Sequence, residues 1–111
     1  MLVVKLDPER WYRGMGVTDS YLLRREDHKM CCMGFACIGV GVKLPDLLQV
    51  PAVRKLMHLD KIPDWWCETS GPIMSLYAIN DNPNYESDEA RVKDLNVISE
   101  PLGLRFELEA S

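Results

Sequence analysis

The sequence lacks three features that would place it quickly in a class of proteins. It has no run of about 18 or more uninterrupted apolar residues, and its longest apolar candidate, Met30 to Val42, is shorter and rich in glycine. Its first residues lack the long apolar segment of an export signal. It also lacks a basic excess, because 13 Lys and Arg stand against 17 Asp and Glu. We therefore expect a cytoplasmic protein with no membrane partner and no non-specific nucleic-acid binding.

The four cysteines do not follow the pattern of a disulfide framework or of a zinc site. Cys31 and Cys32 are adjacent, Cys37 follows inside an apolar run, and Cys67 stands alone. Zinc knuckles place paired ligands two to four residues apart in two separate groups, which this spacing does not provide. We expect free thiols in a reducing compartment, with no metal and no cofactor.

The length of 111 residues and an apolar content of 47% predict one domain, residues 1–111, with one core. Alternating apolar side chains predict strands over residues 2–7 and 104–109, and Tyr21 to Arg25 is a weaker third strand. The fold class is therefore predicted as α+β, with a small antiparallel sheet formed by both termini and one inner strand.

The helices are predicted around one buried, cysteine-rich segment. Met30 to Val40 has no polar face, which is typical of a helix buried on every side. Gly34 inside this helix indicates a close contact with a strand, because glycine lowers helix propensity. Prolines at 45, 51 and 72 predict short helices near 45–49, 51–58 and 72–79, and Ser87 is the predicted N-cap of an acidic last helix.

Two of the candidate binding sites contain tryptophan. The neighbours Trp65 and Trp66 cannot both face one core, so one of them is expected at the surface as a contact for a partner. Arg10, Trp11 and Arg13 could stack on a base and hold a phosphate, or Trp11 could pack on the sheet beside two solvated arginines.

Two other candidates lie at the ends of predicted helices. Asn80 and Asp81 form either a helix cap or a small polar binding site. Cys31 or Cys32, at a helix start where thiol pKa values fall, could be a nucleophile with His28 as its base. The simpler interpretation is that these thiols are small core side chains, so no catalytic residue is predicted.

The chain resembles a widespread family of small, mostly uncharacterised proteins encoded by tailed bacteriophages and prophages. The family combines a Cys-Cys-Leu-Gly-type helix with a later Leu-Asn-Asp motif, and Met33 here replaces the leucine of the first motif. The matching residues are Trp11 with Arg13-Gly14, Leu22-Leu23, Cys31-Cys32-Met33-Gly34 with Cys37, Pro63 with Trp65, and Leu76 with Asn80-Asp81. The resemblance implies a phage origin and a cytoplasmic setting in the host cell, and it brings no reaction or ligand.

Together these observations predict a non-enzymatic phage accessory protein that binds a host protein, for example as a counter-defence inhibitor. Two alternatives stay open at this point. One is a protein that sequesters a nucleotide signal through Arg10, Trp11, Arg13 and Asn80, and the other is a cysteine-dependent enzyme. The oligomeric state is not encoded in any of these patterns.

Overall fold

A computed structural model describes residues 1–16 and 21–109 of the chain. Within these residues the strands and helices, in chain order, are β1 (Leu2–Leu6), α1 (Cys32–Gly39), α2 (Leu44–Leu47), α3 (Pro72–Asp81), α4 (Asp88–Ser99) and β2 (Leu104–Leu108). Short 3-10 turns lie at Val53–Leu56, Asp64–Cys67 and Glu100–Leu102. The α+β class is confirmed. None of the helices in these ranges has the length and apolarity needed to cross a bilayer.

The sheet differs from the predicted one in direction and in strand number. β1 and β2 are parallel, with Leu2 opposite Leu104 and Leu6 opposite Leu108, so the antiparallel prediction is wrong. Alternation of apolar side chains shows which face of a strand is buried but not which way its neighbour runs. The long stretch of chain between the two strands provides the crossover that a parallel pair needs.

The predicted third strand, Tyr21 to Arg25, is also wrong. This segment contributes only an isolated bridge between Leu23 and Leu48. The N–H of Leu22 donates to the carbonyl oxygen of Val50. The N–H of Arg24 donates to the carbonyl oxygen of Lys29, which lies across a tight turn. The peptide groups of this segment therefore form hydrogen bonds with loop residues, and the segment does not join the sheet.

Helix α1 forms part of the core, but the prediction that it is buried on every side is wrong. Its first turns are buried from Cys32 to Gly34, whereas Ile38 near its end is 38% exposed. Gly34 faces the carbonyl oxygen of Leu22, and an ideal Cβ at position 34 would lie 2.0 Å from that oxygen. This contact confirms the predicted close approach, although its partner is a loop and not a strand. On the other side of the core, Ser87 caps α4 by accepting a hydrogen bond of 3.1 Å from the N–H of Ala90.

Candidate functional site

Asn80 lies in the last turn of α3, fully buried, and its side-chain amide joins three parts of the fold. Its Oδ1 accepts hydrogen bonds from the indole Nε1 of Trp11 at 2.7 Å and from the backbone N–H of Cys32 at 2.9 Å. Its Nδ2 donates to the carbonyl of Tyr12 and to the carboxylate of Asp81, both at 3.0 Å. Both donors and both acceptor positions of the amide are thus occupied within the protein. Asn80 is a structural cross-link with no hydrogen-bonding capacity left for a ligand.

Trp11 and Arg13 contact each other as the sequence predicts, but Trp11 is buried and not at the surface. Trp11 is 1% exposed, and the Arg13 guanidinium lies over its ring at 4.8 Å from the centroid. Arg13 also forms a two-point hydrogen bond with Asp88, at 2.7 and 2.6 Å. Trp11 therefore has no face on which a base could stack, and the nucleotide hypothesis gains no support from it. Arg10 is exposed and separate from this cluster.

Arg91 is a buried charge that sequence reasoning missed. Its Nη1 donates to the carbonyl oxygens of Ile79 at 2.6 Å and Asn82 at 2.7 Å, so it holds the C-terminal end of α3, where the helix dipole favours a cation. Its guanidinium lies 4.6 Å from the centre of the Tyr85 ring. Burial lowers the pKa of Arg91. Its burial could have been predicted from its position one helical turn before the core residue Leu95, because the two residues share a helix face.

The thiols of Cys31, Cys32 and Cys37 are all buried. Burial raises the pKa of Cys31 and of Cys37 to about 12, and it raises that of Cys32 well above its usual value. His28 lies on an exposed turn in a left-handed backbone conformation, with φ 58°. Across residues 1–16 and 21–109, no group of three or more His, Cys, Asp and Glu side chains is arranged to hold a metal ion. These positions do not favour the cysteine-dependent enzyme.

Alkylation of the native protein tests this assignment of the thiols. Because burial raises the pKa of Cys31 to about 12, its thiol stays protonated at pH 8, and its burial also blocks access. We expect iodoacetamide at pH 8 to modify Cys67 alone, because it is only half-buried, and all four thiols once the protein is unfolded. Peptide mass spectrometry assigns each site. Labelling of Cys31 or Cys32 in the folded protein at pH 6 would reveal an activated thiolate and would contradict this assignment.

The paired tryptophans occupy different environments. Both lie in the 3-10 turn Asp64–Cys67, with their rings at an interplanar angle of 85° and their centroids 6.2 Å apart. Trp66 is 2% exposed and belongs to the core, so its prediction as a binding residue is corrected. Trp65 is half-buried, with its ring edge-on to that of Trp66. A rigid core tryptophan therefore holds a surface tryptophan in place.

Two carboxylates flank this surface tryptophan. Asp64 precedes Trp65 and Glu68 follows the turn, and both side chains are exposed. In the part of the chain that the structure describes, neither carboxylate forms an ion pair, and the indole N–H of Trp65 has no hydrogen-bond acceptor. We call Asp64, Trp65 and Glu68 the Trp65 surface. It combines an aromatic anchor, an unused donor and a negative edge.

Comparison with known proteins gives no indication of function. The chain matches no protein-family model, no curated protein and no solved structure. The resemblance to the phage family therefore rests on the sequence motifs alone.

Proposed function

We propose that this protein is a non-enzymatic accessory protein of a tailed phage or prophage, and that it acts in the host cytoplasm by binding a host protein. The observation that carries the proposal is Trp65, a half-buried tryptophan held against a buried one, with its indole N–H unpartnered among the described residues. Inhibition of a host defence protein is one form that such binding takes.

The chemistry of Trp65 favours binding for energetic reasons. Tryptophan is enriched among the few residues that dominate protein interfaces, because it buries a large apolar area and can still donate one hydrogen bond. A side chain already restrained by its neighbours also loses less conformational entropy when a partner binds. Contact with Trp66 and a half-buried ring provide that restraint for Trp65.

The negative edge specifies the complementary partner. Asp64 and Glu68 carry exposed carboxylates without ion pairs among the described residues, on either side of the aromatic ring in sequence. A matching partner has an apolar pocket for the indole, a hydrogen-bond acceptor inside it, and Lys or Arg at its rim. Charges of this kind act mainly on the association rate and make it sensitive to salt.

Replacing Trp65 with alanine is the direct test of this surface. We expect W65A to weaken capture of the host partner by about 30-fold or more, the loss of about 2 kcal/mol typical of a dominant interface residue. W65F, which keeps an aromatic ring but lacks the N–H, should lose less. The measurement is a pull-down from host lysate on immobilised protein, followed by titration of the partner identified by mass spectrometry.

A control outside the Trp65 surface and a second variant within it complete this test. V97A removes part of an exposed apolar side chain on α4 and should bind like the parent protein. The double variant D64N/E68Q should bind more slowly and with a smaller dependence on salt. Full retention of the captured partner by a folded W65A variant would show that binding uses another surface.

A further inference from the structure

The two edges of the small sheet are not equivalent. The N–H of Leu2 donates to the carbonyl of Gly103 at 2.9 Å, and the N–H of Glu109 donates to the carbonyl of Leu6 at 2.8 Å. In a parallel pair this register turns the peptide groups of Leu2, Val4 and Leu6 toward β2. The peptide groups of the odd-numbered residues of β1 therefore point to its other edge.

The outer edge of β2 is paired at its middle residue, Phe106, by a side chain. The amide of Asn96, on α4, donates to the carbonyl of Phe106 at 2.9 Å and accepts from the N–H of Phe106 at 2.8 Å. It thus copies the hydrogen bonds of a neighbouring strand. The corresponding edge of β1, at Val3 and Lys5, has no such partner within residues 1–16 and 21–109.

An apolar groove of about 360 Å³ runs beside β1, between this strand and helices α1 and α2. Val3 on β1 is 42% exposed, Ile38 on α1 is 38% exposed and Leu44 at the start of α2 is 42% exposed. All three line the groove. Unpaired strand edges next to exposed apolar side chains are templates for pairing with another strand.

The charges of the groove have both signs, which fits a self-complementary contact. Arg10 lies with Asp7 and Glu109 along its lining. Lys5, the usual protection of an edge strand, has its ammonium bound to Glu107 on the adjacent strand. A two-fold interface brings one patch against itself, so a patch with cations and anions can pair with its own copy.

We infer that β1 pairs edge to edge with β1 of a second copy of this chain, antiparallel about a two-fold axis at Val4. Val3 of each copy then faces Lys5 of the other, and their peptide groups exchange hydrogen bonds. A register with Lys5 opposite Lys5 would place like charges together. The product is a continuous four-stranded sheet in the order β2, β1, β1, β2. This interface is separate from the Trp65 surface and stands independently of the proposed function.

The test is the mass of the full chain in solution, measured by light scattering during gel filtration over a hundredfold range of concentration up to about 0.1 mM. We expect a mass of twice 12.7 kDa for the parent protein and 12.7 kDa for V3P. Proline at position 3 removes an N–H that faces the open edge and leaves the bonds to β2 intact. V3T keeps that N–H and should remain a dimer.

A second variant keeps the inference testable if V3P does not fold. I38E places a charge on the exposed side of α1, at the rim that the second copy would cover, and it should also give a mass of 12.7 kDa. Hydrogen exchange gives a local reading, because only the dimer protects the amides of Val3 and Lys5. A parent protein that stays at 12.7 kDa at all concentrations would overturn the inference. A folded V3P or I38E variant that stays dimeric would do the same.

Discussion

Replacing Gly34 with alanine is expected to lower the free energy of unfolding by about 3 kcal/mol or more. The new Cβ would lie 2.0 Å from the carbonyl oxygen of Leu22 and 2.9 Å from the Cβ of Met30. Neither neighbour is free to move away, because Leu22 is itself bound through its N–H to Val50 and Met30 is buried. Overpacking against backbone costs about 3 kcal/mol or more, a large part of the about 5–15 kcal/mol that holds a domain together.

Gly39, in the same helix, provides the matched control. A Cβ there meets only side-chain atoms of Leu2 and Val4 at ordinary contact distances near 3.7 Å. G39A should therefore leave the free energy of unfolding unchanged or raise it by up to about 1 kcal/mol, since alanine favours a helix more than glycine does. Urea unfolding followed by circular dichroism compares the two variants. A G34A protein with the urea midpoint of the parent would refute the close contact between α1 and the Leu22 loop.

Replacing Asn80 with alanine is expected to cost about 3–5 kcal/mol of stability. The substitution leaves the indole N–H of Trp11 and the N–H of Cys32 buried without their partner, and it removes the donor to the half-buried carbonyl of Tyr12. An unsatisfied buried polar group costs about 1–3 kcal/mol, and two of them are created at once beside a third that is half-buried. Because these groups belong to different segments, we expect the whole protein to unfold in one cooperative transition at a lower temperature. Below that temperature, the Trp11 segment should open locally more often than in the parent protein.

Asn84 is the control for this second effect. It lies exposed in the turn after α3, where its backbone N–H donates to the side-chain oxygen of Asn82. Alanine at position 84 keeps this hydrogen bond. N84A should unfold within about 0.5 kcal/mol of the parent, as surface substitutions usually do. Thermal unfolding of N80A and N84A, with Trp11 indole exchange followed by NMR, makes the comparison. Equal midpoints for the two variants would contradict the role of Asn80 as a cross-link.

The parts of the fold that follow local rules could be predicted from the sequence. The buried helix was predicted from an unbroken apolar run, which becomes α1 at Cys32–Gly39. The last helix was predicted from a cap with acidic residues in the first turn, and α4 begins at Asp88 after the Ser87 cap. Such signals depend on neighbours within a few residues, so they do not require knowledge of the tertiary structure.

The direction of the sheet and the inner strand depended on contacts that no local pattern contains. Segment 21–25 has suitable residues for a strand, but its N–H groups find acceptors in loops at Lys29 and Val50. The buried face of α4 includes a charge, because Arg91 is buried together with Leu95 and Ser99. Arginine is rarely buried unless paired, and its acceptors at the end of α3 could not be read from its own helix.

The sequence indicated which residue types could form the candidate site, but it did not show which of them are buried. Adjacent tryptophans indicated that one of the two is accessible, but only the structure distinguishes Trp65 from Trp66. Of the predicted group Arg10, Trp11, Arg13 and Asn80, the structure brings the last three together, whereas Arg10 is exposed. They were considered as a ligand site, whereas burial and complete hydrogen bonding make them part of the scaffold.

The central claim is that this protein binds its partner through Trp65 while the other two tryptophans stay in the core. Fluorine NMR of protein labelled with 5-fluorotryptophan tests it directly, because each of the three indoles gives its own signal. On titration with the captured partner, we expect the Trp65 signal to shift and to lose its response to deuterated solvent, with the Trp11 and Trp66 signals unchanged. A Trp65 signal that stays in place and solvent-exposed at saturation would contradict the account.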